Sequence, residues 1–219
     1  MKRLAAFALS LLVGGCSSTG ESDYSLFYRA LRQSLGASFG KGRVTKDQAA
    51  AIPYASMGYR LNGGSEQLLV LATDSNGEQL WTSALHIVIA TRGGRIVRTV
   101  GLPSNVSAVT PAVGQTIPLL TAALTGPVSY SRLVDLPDER IYGAALACKL
   151  TYRGRQTILL LGRGISTAKI EESCASRSPN WSFTDNYWLD VDNGLVWKSV
   201  QHISPAKGEV ETAVLRPPG

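Results

Sequence analysis

Few residue patterns in this chain have chemical reach. Gly36-Ala37-Ser38-Phe39-Gly40 spells the G-x-S-x-G elbow, which exposes a nucleophilic serine between a strand and a helix. Here the apolar spacing before it is helical and Gly40-Lys41-Gly42-Arg43 follows, so the strained strand-to-helix turn is missing and the stretch reads as a helix end and loop. His86, between Leu85 and Ile87, and His202 fall in strand-like runs. That placement predicts half-buried or edge side chains rather than a base poised beside a serine. Asp135, Asp138, Glu139, Asp185, Asp190 and Asp192 include enough carboxylates for a glycosidase pair. Asp192 is already accounted for by a turn, and Asp135 to Glu139 by a proline-bearing loop, so solvated carboxylates are expected. Trp81, Trp181, Trp188 and Trp197 sit at strand positions and are expected in the core, with stacking on sugar rings as the alternative. There is no phosphate loop, dinucleotide fingerprint or His/Cys cluster at metal-ligand spacing. No catalytic residue, metal or cofactor is therefore assigned.

The one reactive side chain with a clear context is Cys16. Lys2 and Arg3, the apolar run from Leu4 to Val13 and the small Gly14-Gly15 form the three parts of a secretory signal peptide, too short to span a bilayer as a mature helix. Val13-Gly14-Gly15-Cys16 resembles a bacterial lipobox, which implies cleavage before Cys16 and acylation of both its thiol and its freed amine. Each buried methylene contributes about 0.8 kcal/mol and two chains suffice for stable anchoring, so three hold a protein at the membrane. Ser17, rather than Asp, follows the cysteine, and this favours an outer-membrane, periplasm-facing location. The expected organisation is a signal peptide over 1–15, a flexible tether over 16–23 and one domain over 24–219.

Removing Lys2 and Arg3 from the 22 basic residues leaves 20 against 16 acidic, a mature net charge of +4. The excess is scattered, with no block of like charges, so nucleic acid is excluded as a partner; an acidic glycan or an anionic head group remains compatible. With Cys16 lipidated, Cys148 and Cys174 remain. In an oxidising compartment two such residues pair, and closing their loop is worth about 3 kcal/mol; a pair of free core thiols is the alternative.

The elements that position these residues are mostly strands. Leu26/Phe27, Ala30/Leu31 and Ser34/Leu35 recur at helical spacing up to Gly36, and Thr45-Lys46-Asp47-Gln48 is a capping box for a second short helix ended by Pro53. Apolar runs then alternate with turn signals. They are a run over 66–73 before Asp74-Ser-Asn-Gly77, a run from Glu78 to Thr91, Arg92-Gly-Gly-Arg95, a turn at Arg153-Gly154, Asp192-Asn-Gly194, and a last run over 209–215. Residues 102–127, with four prolines, read as a loop with one apolar stretch over 119–124. Hairpin after hairpin without long helices predicts a mainly β fold, an antiparallel meander forming a β-barrel-like domain with one or two short N-terminal helices.

The stretches IPYASMGYRLNGG (52–64), LLVLA, GEQLWTS, TRGGRIVRTVGL (91–102) and NYWLDVDNGLVWKSVQHISP resemble the YjbF/GfcB family of lipoproteins, whose operons serve exopolysaccharide or group 4 capsule production. The resemblance covers nearly the whole mature chain. It implies a single β-barrel-like domain on an outer-membrane lipid anchor, no enzymatic activity, and a role in making, exporting or assembling surface polysaccharide. The implied partners are the polysaccharide or other proteins of the same operon. Pro53, Tyr54 and Ser56, with Asn62, Gly63 and Gly64, match the family pattern and are candidates for a special surface or a structural turn; Asn-Gly-Gly suits a positive-φ loop. Cys148 and Cys174 depart from that pattern, so a bond between them belongs to no shared mechanism. Three functions compete: a non-catalytic accessory, a glycan hydrolase or esterase, and a ligand-carrying barrel. What fills the inside of the sheet separates them.

Overall fold

Period-two alternation organises the second half of the chain. In β7 (Val128–Leu136) the buried positions are Tyr130, Arg132, Val134 and Leu136; in β10 (Trp181–Leu189) they are Trp181, Phe183, Asp185, Tyr187 and Leu189. Between them run the two longest strands, β8 (Ile141–Leu160) and β9 (Arg163–Ser176). β11 (Val196–His202) and β12 (Glu209–Arg216) complete this meander. The first half supplies β1 (Ser56–Leu61), β2 (Gln67–Ser75), β3 (Glu78–Thr82), β4 (Val88–Arg92), β5 (Arg95–Val100) and the short β6 (Ala108–Pro111). The computed structural model describes residue 25 and residues 27–32, 42–206 and 208–219. The signal peptide, Cys16, the tether and the Ser38 motif lie outside the described residues.

All twelve strands form one antiparallel sheet in the order β5-β4-β3-β2-β1-β12-β11-β10-β9-β8-β7-β6. The first strand pairs with the last, Gly58 opposite Ala213. The two sheet edges are therefore β5 and β6, neighbours in sequence. They approach at Thr99, whose N–H donates to Val106 O at 2.8 Å. A side chain bridges more of this edge: Gln201 Oε1 accepts from Ile96 N at 2.9 Å and Gln201 Nε2 donates to Gly94 O at 2.9 Å. Gln201 thus presents to β5 the acceptor and donor that a neighbouring strand would. The result is a nearly closed barrel. The hairpin carrying Gly93-Gly94 packs close to β11, and a Cβ on Gly94 (φ +81°) would fall 2.3 Å from Val196 Cγ2.

Inside the barrel one apolar cluster includes Met57, Trp81, Ile89, Leu146, Leu150, Ile170, Tyr187 and Leu189. Outside, a second cluster joins Ala30, Val44, Ala49 and Ile52 to Leu68 and Val70 of β2. This covers the outer face of β2 with the helical residues near 30 and with α1 (Lys46–Ala50). α1 starts as expected, with the Thr45 hydroxyl accepting from Gln48 N and Gln48 reaching back to Thr45 N. Burying side chains such as Leu68 and Val70 contributes about 1.5–3 kcal/mol each.

Three sequence expectations are corrected. β8 does not end at Arg153-Gly154: Gly154 (φ +97°) sits in a bulge between Tyr152 and Arg155, and the chain reverses at Leu161-Gly162, both with positive φ. The bulge bends the hairpin so that its far end packs across the barrel, Ile158 and Leu160 against Ala213 with Trp188 and Trp197 alongside. The run from Glu78 to Thr91 is two strands, and His86 (φ +61°) is an exposed turn residue rather than part of a strand. Ser83 Oγ anchors that turn, accepting from Leu85 N and Ile87 N. Residues 102–127 hold β6 and a 3-10 turn, Leu120–Leu124.

Candidate functional site

The interior is filled, and partly by charge. Glu172 on β9, fully buried, is the hub. Arg95 Nε donates to its Oε1 at 2.9 Å, Arg132 Nη2 lies 3.4 Å from Oε2, Tyr187 O–H donates to Oε2 at 3.1 Å and Tyr130 O–H donates to Oε1. Arg95 also donates to Pro118 O at 2.8 Å. Burial opposes ionisation of Glu172, but Arg132 and Arg95 outweigh it and hold the carboxyl below the usual range. Burial pushes the hydroxyls of Tyr130 and Tyr187 well up, so both remain donors.

Asp185 on β10 adds the second buried carboxylate, 3.8 Å from Arg132 Nη2. Its Oδ1 accepts from His202 N at 2.7 Å and lies 3.0 Å from His202 Nδ1. Burial raises the Asp185 carboxyl despite these bonds, and the bond to Asp185 raises the His202 imidazole in turn. Two guanidiniums thus face two carboxylates within the barrel. The void beside Arg132, Asp185, Gln201 and His202 is only about 20 Å³, room for about one water. Glu172 and Asp185 are closed off from solvent, and a glycosidic bond cannot be placed between them. The expectation of a solvated Asp185 is corrected.

One end of the barrel is open. The β2–β3 turn, the Gly93-Gly94 hairpin, the β10–β11 turn and Pro217-Pro218 surround a cavity of about 530 Å³. Asp74 and Gln79, opposite one another on β2 and β3, stand at its lip, with Gln79 Nε2 donating to Asp74 Oδ2 at 2.9 Å. Asn193 faces them from the β10–β11 turn, where its Oδ1 accepts from Leu195 N at 2.8 Å and its Nδ2 donates to Asp190 Oδ2 at 3.3 Å. Leu195 and the two prolines give the walls apolar surface.

The other residues singled out in the sequence disperse. Asn62 (φ +49°) and Gly63 (φ +69°) form the β1–β2 turn, with Gly64 N donating to Leu61 O and Arg60 donating to the carbonyls of Gly63 and Gly64. Asn62 also ties this turn to β12, its N–H donating to Glu209 O and its Oδ1 accepting from Glu209 N. Pro53 is exposed, Tyr54 packs edge-on to Phe27 with ring centroids 6.1 Å apart, and Ser56 is fully buried at the start of β1. These two stretches do not come together as a site. Cys148 and Cys174 lie opposite one another on β8 and β9, facing inward, with their sulfurs joined at 2.04 Å. Trp81 and Trp181 are core; Trp188 and Trp197 are only partly buried on the outer side. Asp138 accepts from Asn105 N and Nδ2, and Glu139 accepts from the Ser204 hydroxyl, so these acids fasten loops. Among the described residues no group of three or more His, Cys, Asp or Glu is placed to hold a metal ion, and no helix is long and apolar enough to cross a membrane.

Fold and site define, among the described residues, a nearly closed, barrel-like antiparallel sheet of twelve strands with a buried core of paired charges and an open mouth. The chain belongs to the YjbF family, whose model, described as group 4 capsule polysaccharide lipoprotein gfcB, YjbF, matches residues 32–215. It is 24% identical over 217 residues to the uncharacterized lipoprotein GfcB of Escherichia coli K12, spanning 99% of both chains. To the uncharacterized lipoprotein YjbF of the same organism it is 23% identical, spanning 99% of this chain and 98% of the relative. The crystal structure of the hypothetical lipoprotein YmcC from Escherichia coli K12 superposes with a TM-score of 0.70 at 26% identity, covering 92% of this chain and 99% of that one.

Proposed function

We propose that this protein is a non-catalytic accessory in the production, export or assembly of exopolysaccharide or capsule, held by lipid on Cys16 to the periplasmic face of the outer membrane. Residues 1–15 are the signal peptide, 16–23 the tether and 24–219 the working domain. The observation that carries this reading is membership, over residues 32–215, of a family described by its capsule polysaccharide role. The sealed core supports it. Both buried acids are neutralised by Arg95 and Arg132 and closed off from any external substrate, whereas a hydrolase needs its carboxylates at the substrate. The link between Cys148 and Cys174 suits an oxidising compartment.

Deleting the gene and analysing surface polysaccharide tests the proposal, with complementation by the wild type and by Cys16→Ala. The deletion is expected to reduce or alter the polysaccharide, and Cys16→Ala to restore it poorly. Unchanged polysaccharide in the deletion strain sinks the functional reading; full rescue by Cys16→Ala sinks the role of the anchor.

A further inference from the structure

The geometry points to the barrel-mouth cavity as a binding site for an uncharged saccharide, a short length of a neutral glycan chain. This rests on the polysaccharide role proposed above and adds where the sugar sits and of what class it is. The volume, about 530 Å³, lies within the 300–1,000 Å³ typical of ligand sites. Deeper in the barrel, the void among Arg132, Asp185 and His202 is only about 20 Å³.

The lining has the two components that a sugar ring requires. Apolar C–H faces need a hydrophobic wall, provided by Leu195, Pro217 and Pro218. Hydroxyls need planar groups that both donate and accept, provided by Gln79 and Asn193, together with the acceptor Asp74. Gly77 and Gly93 also line the cavity and add no side chains to it. Charge sets the class. Asp74 is the one charged side chain among the described residues lining the cavity, whereas an acidic glycan would call for Arg or Lys there. The scattered basic residues of this chain lie elsewhere, and Arg95 and Arg132 are committed to Glu172 inside the barrel.

Full-length protein in detergent tests this against oligosaccharides cut by mild acid from the parent strain's own surface polysaccharide and split on an anion exchanger into neutral and acidic pools. Calorimetric titration is expected to show saturable binding of the neutral pool, weakened at least tenfold in Asp74→Ala/Gln79→Ala. The thermal midpoint of that variant should stay within about 2 °C of wild type. Gln79→Trp, which fills the cavity, is expected to abolish binding and serves if the double variant is poorly folded. Lys149→Ala on the outer face of β8 is expected to bind as wild type. No saturable binding of the neutral pool, binding carried by the acidic pool, or unweakened binding by folded Asp74→Ala/Gln79→Ala or Gln79→Trp each overturns the assignment. Complementation separates this failure from that of the functional reading. A deletion that alters the polysaccharide but is fully rescued by Gln79→Trp refutes the site alone, and a deletion without phenotype refutes the role.

Discussion

Replacing Glu172 with Gln keeps the shape of the side chain and removes one charge from the centre of the barrel. Four ionisable groups share that space: the guanidiniums of Arg95 and Arg132, whose side chains are 5% and 6% exposed, and the carboxyl groups of Glu172 and Asp185 at 0% and 2%. Glu172→Gln leaves the set with a net positive charge buried away from bulk solvent. Breaking a buried ion pair by removing one partner costs about 3–5 kcal/mol, because the remaining charge keeps its desolvation penalty. That is a large share of the 5–15 kcal/mol typical of a domain. It corresponds to a fall in thermal midpoint of roughly 6–20 °C for a chain of this size. Arg95→Met/Glu172→Gln restores balance, Arg132 against Asp185, and is expected to be more stable than Glu172→Gln alone. Thermal and urea unfolding followed by circular dichroism measures both. The reasoning fails if Glu172→Gln lies within about 1 kcal/mol of wild type, or if the losses of the two single variants simply add in the double.

Gly94→Ala is expected to cost more than about 2 kcal/mol in urea unfolding, since alanine there meets both the positive φ and Val196 at 2.3 Å. His202 has a raised pKa in the folded state, so its contribution to stability is complete below its ordinary value of about 6.5 and is lost as pH rises through the folded value. Stability measured from pH 6 upward should therefore fall less steeply in His202→Asn than in wild type. Cys148→Ala/Cys174→Ala opens a link across 26 positions, a loss of about 3 kcal/mol on the chain-entropy argument. Reductant should then no longer lower the thermal midpoint of that variant.

Local chemistry made much of this fold readable. Thr45 and Gln48 cap a helix wherever they occur at that spacing, and Asn62-Gly63 adopts positive φ because few other pairs do so cheaply. Gly154 misled for the same reason: a positive-φ glycine serves a bulge as well as a turn, and only the pairing of β8 with β9 distinguishes the two. Asp185 and Glu172 look like any surface acid, since what makes them interior is Arg95 and Arg132 arriving from strands far away in sequence. Gln201 as a stand-in for a β-strand, and Asp74, Gln79 and Asn193 as one lip, are likewise products of closure. The alternation that placed Asp185 and Gln201 among apolar neighbours was the available signal, and a polar residue at an inward position of a strand predicts a buried partner.

Because β1 receives its second neighbour only from β12, no prefix of the chain can complete its own sheet. During synthesis or export the β1–β5 meander must wait, with β1 an open edge, until the last strand emerges. The β1–β12 contacts that join the two halves of the sheet are the most distant in sequence, a topology that slows folding. A truncation that removes β12 strips a neighbour from both β1 and β11, leaving two bare edges in the middle of the sheet rather than one at its end. Loss of the last few residues should therefore be read out as aggregation of the whole domain, not as fraying of its terminus.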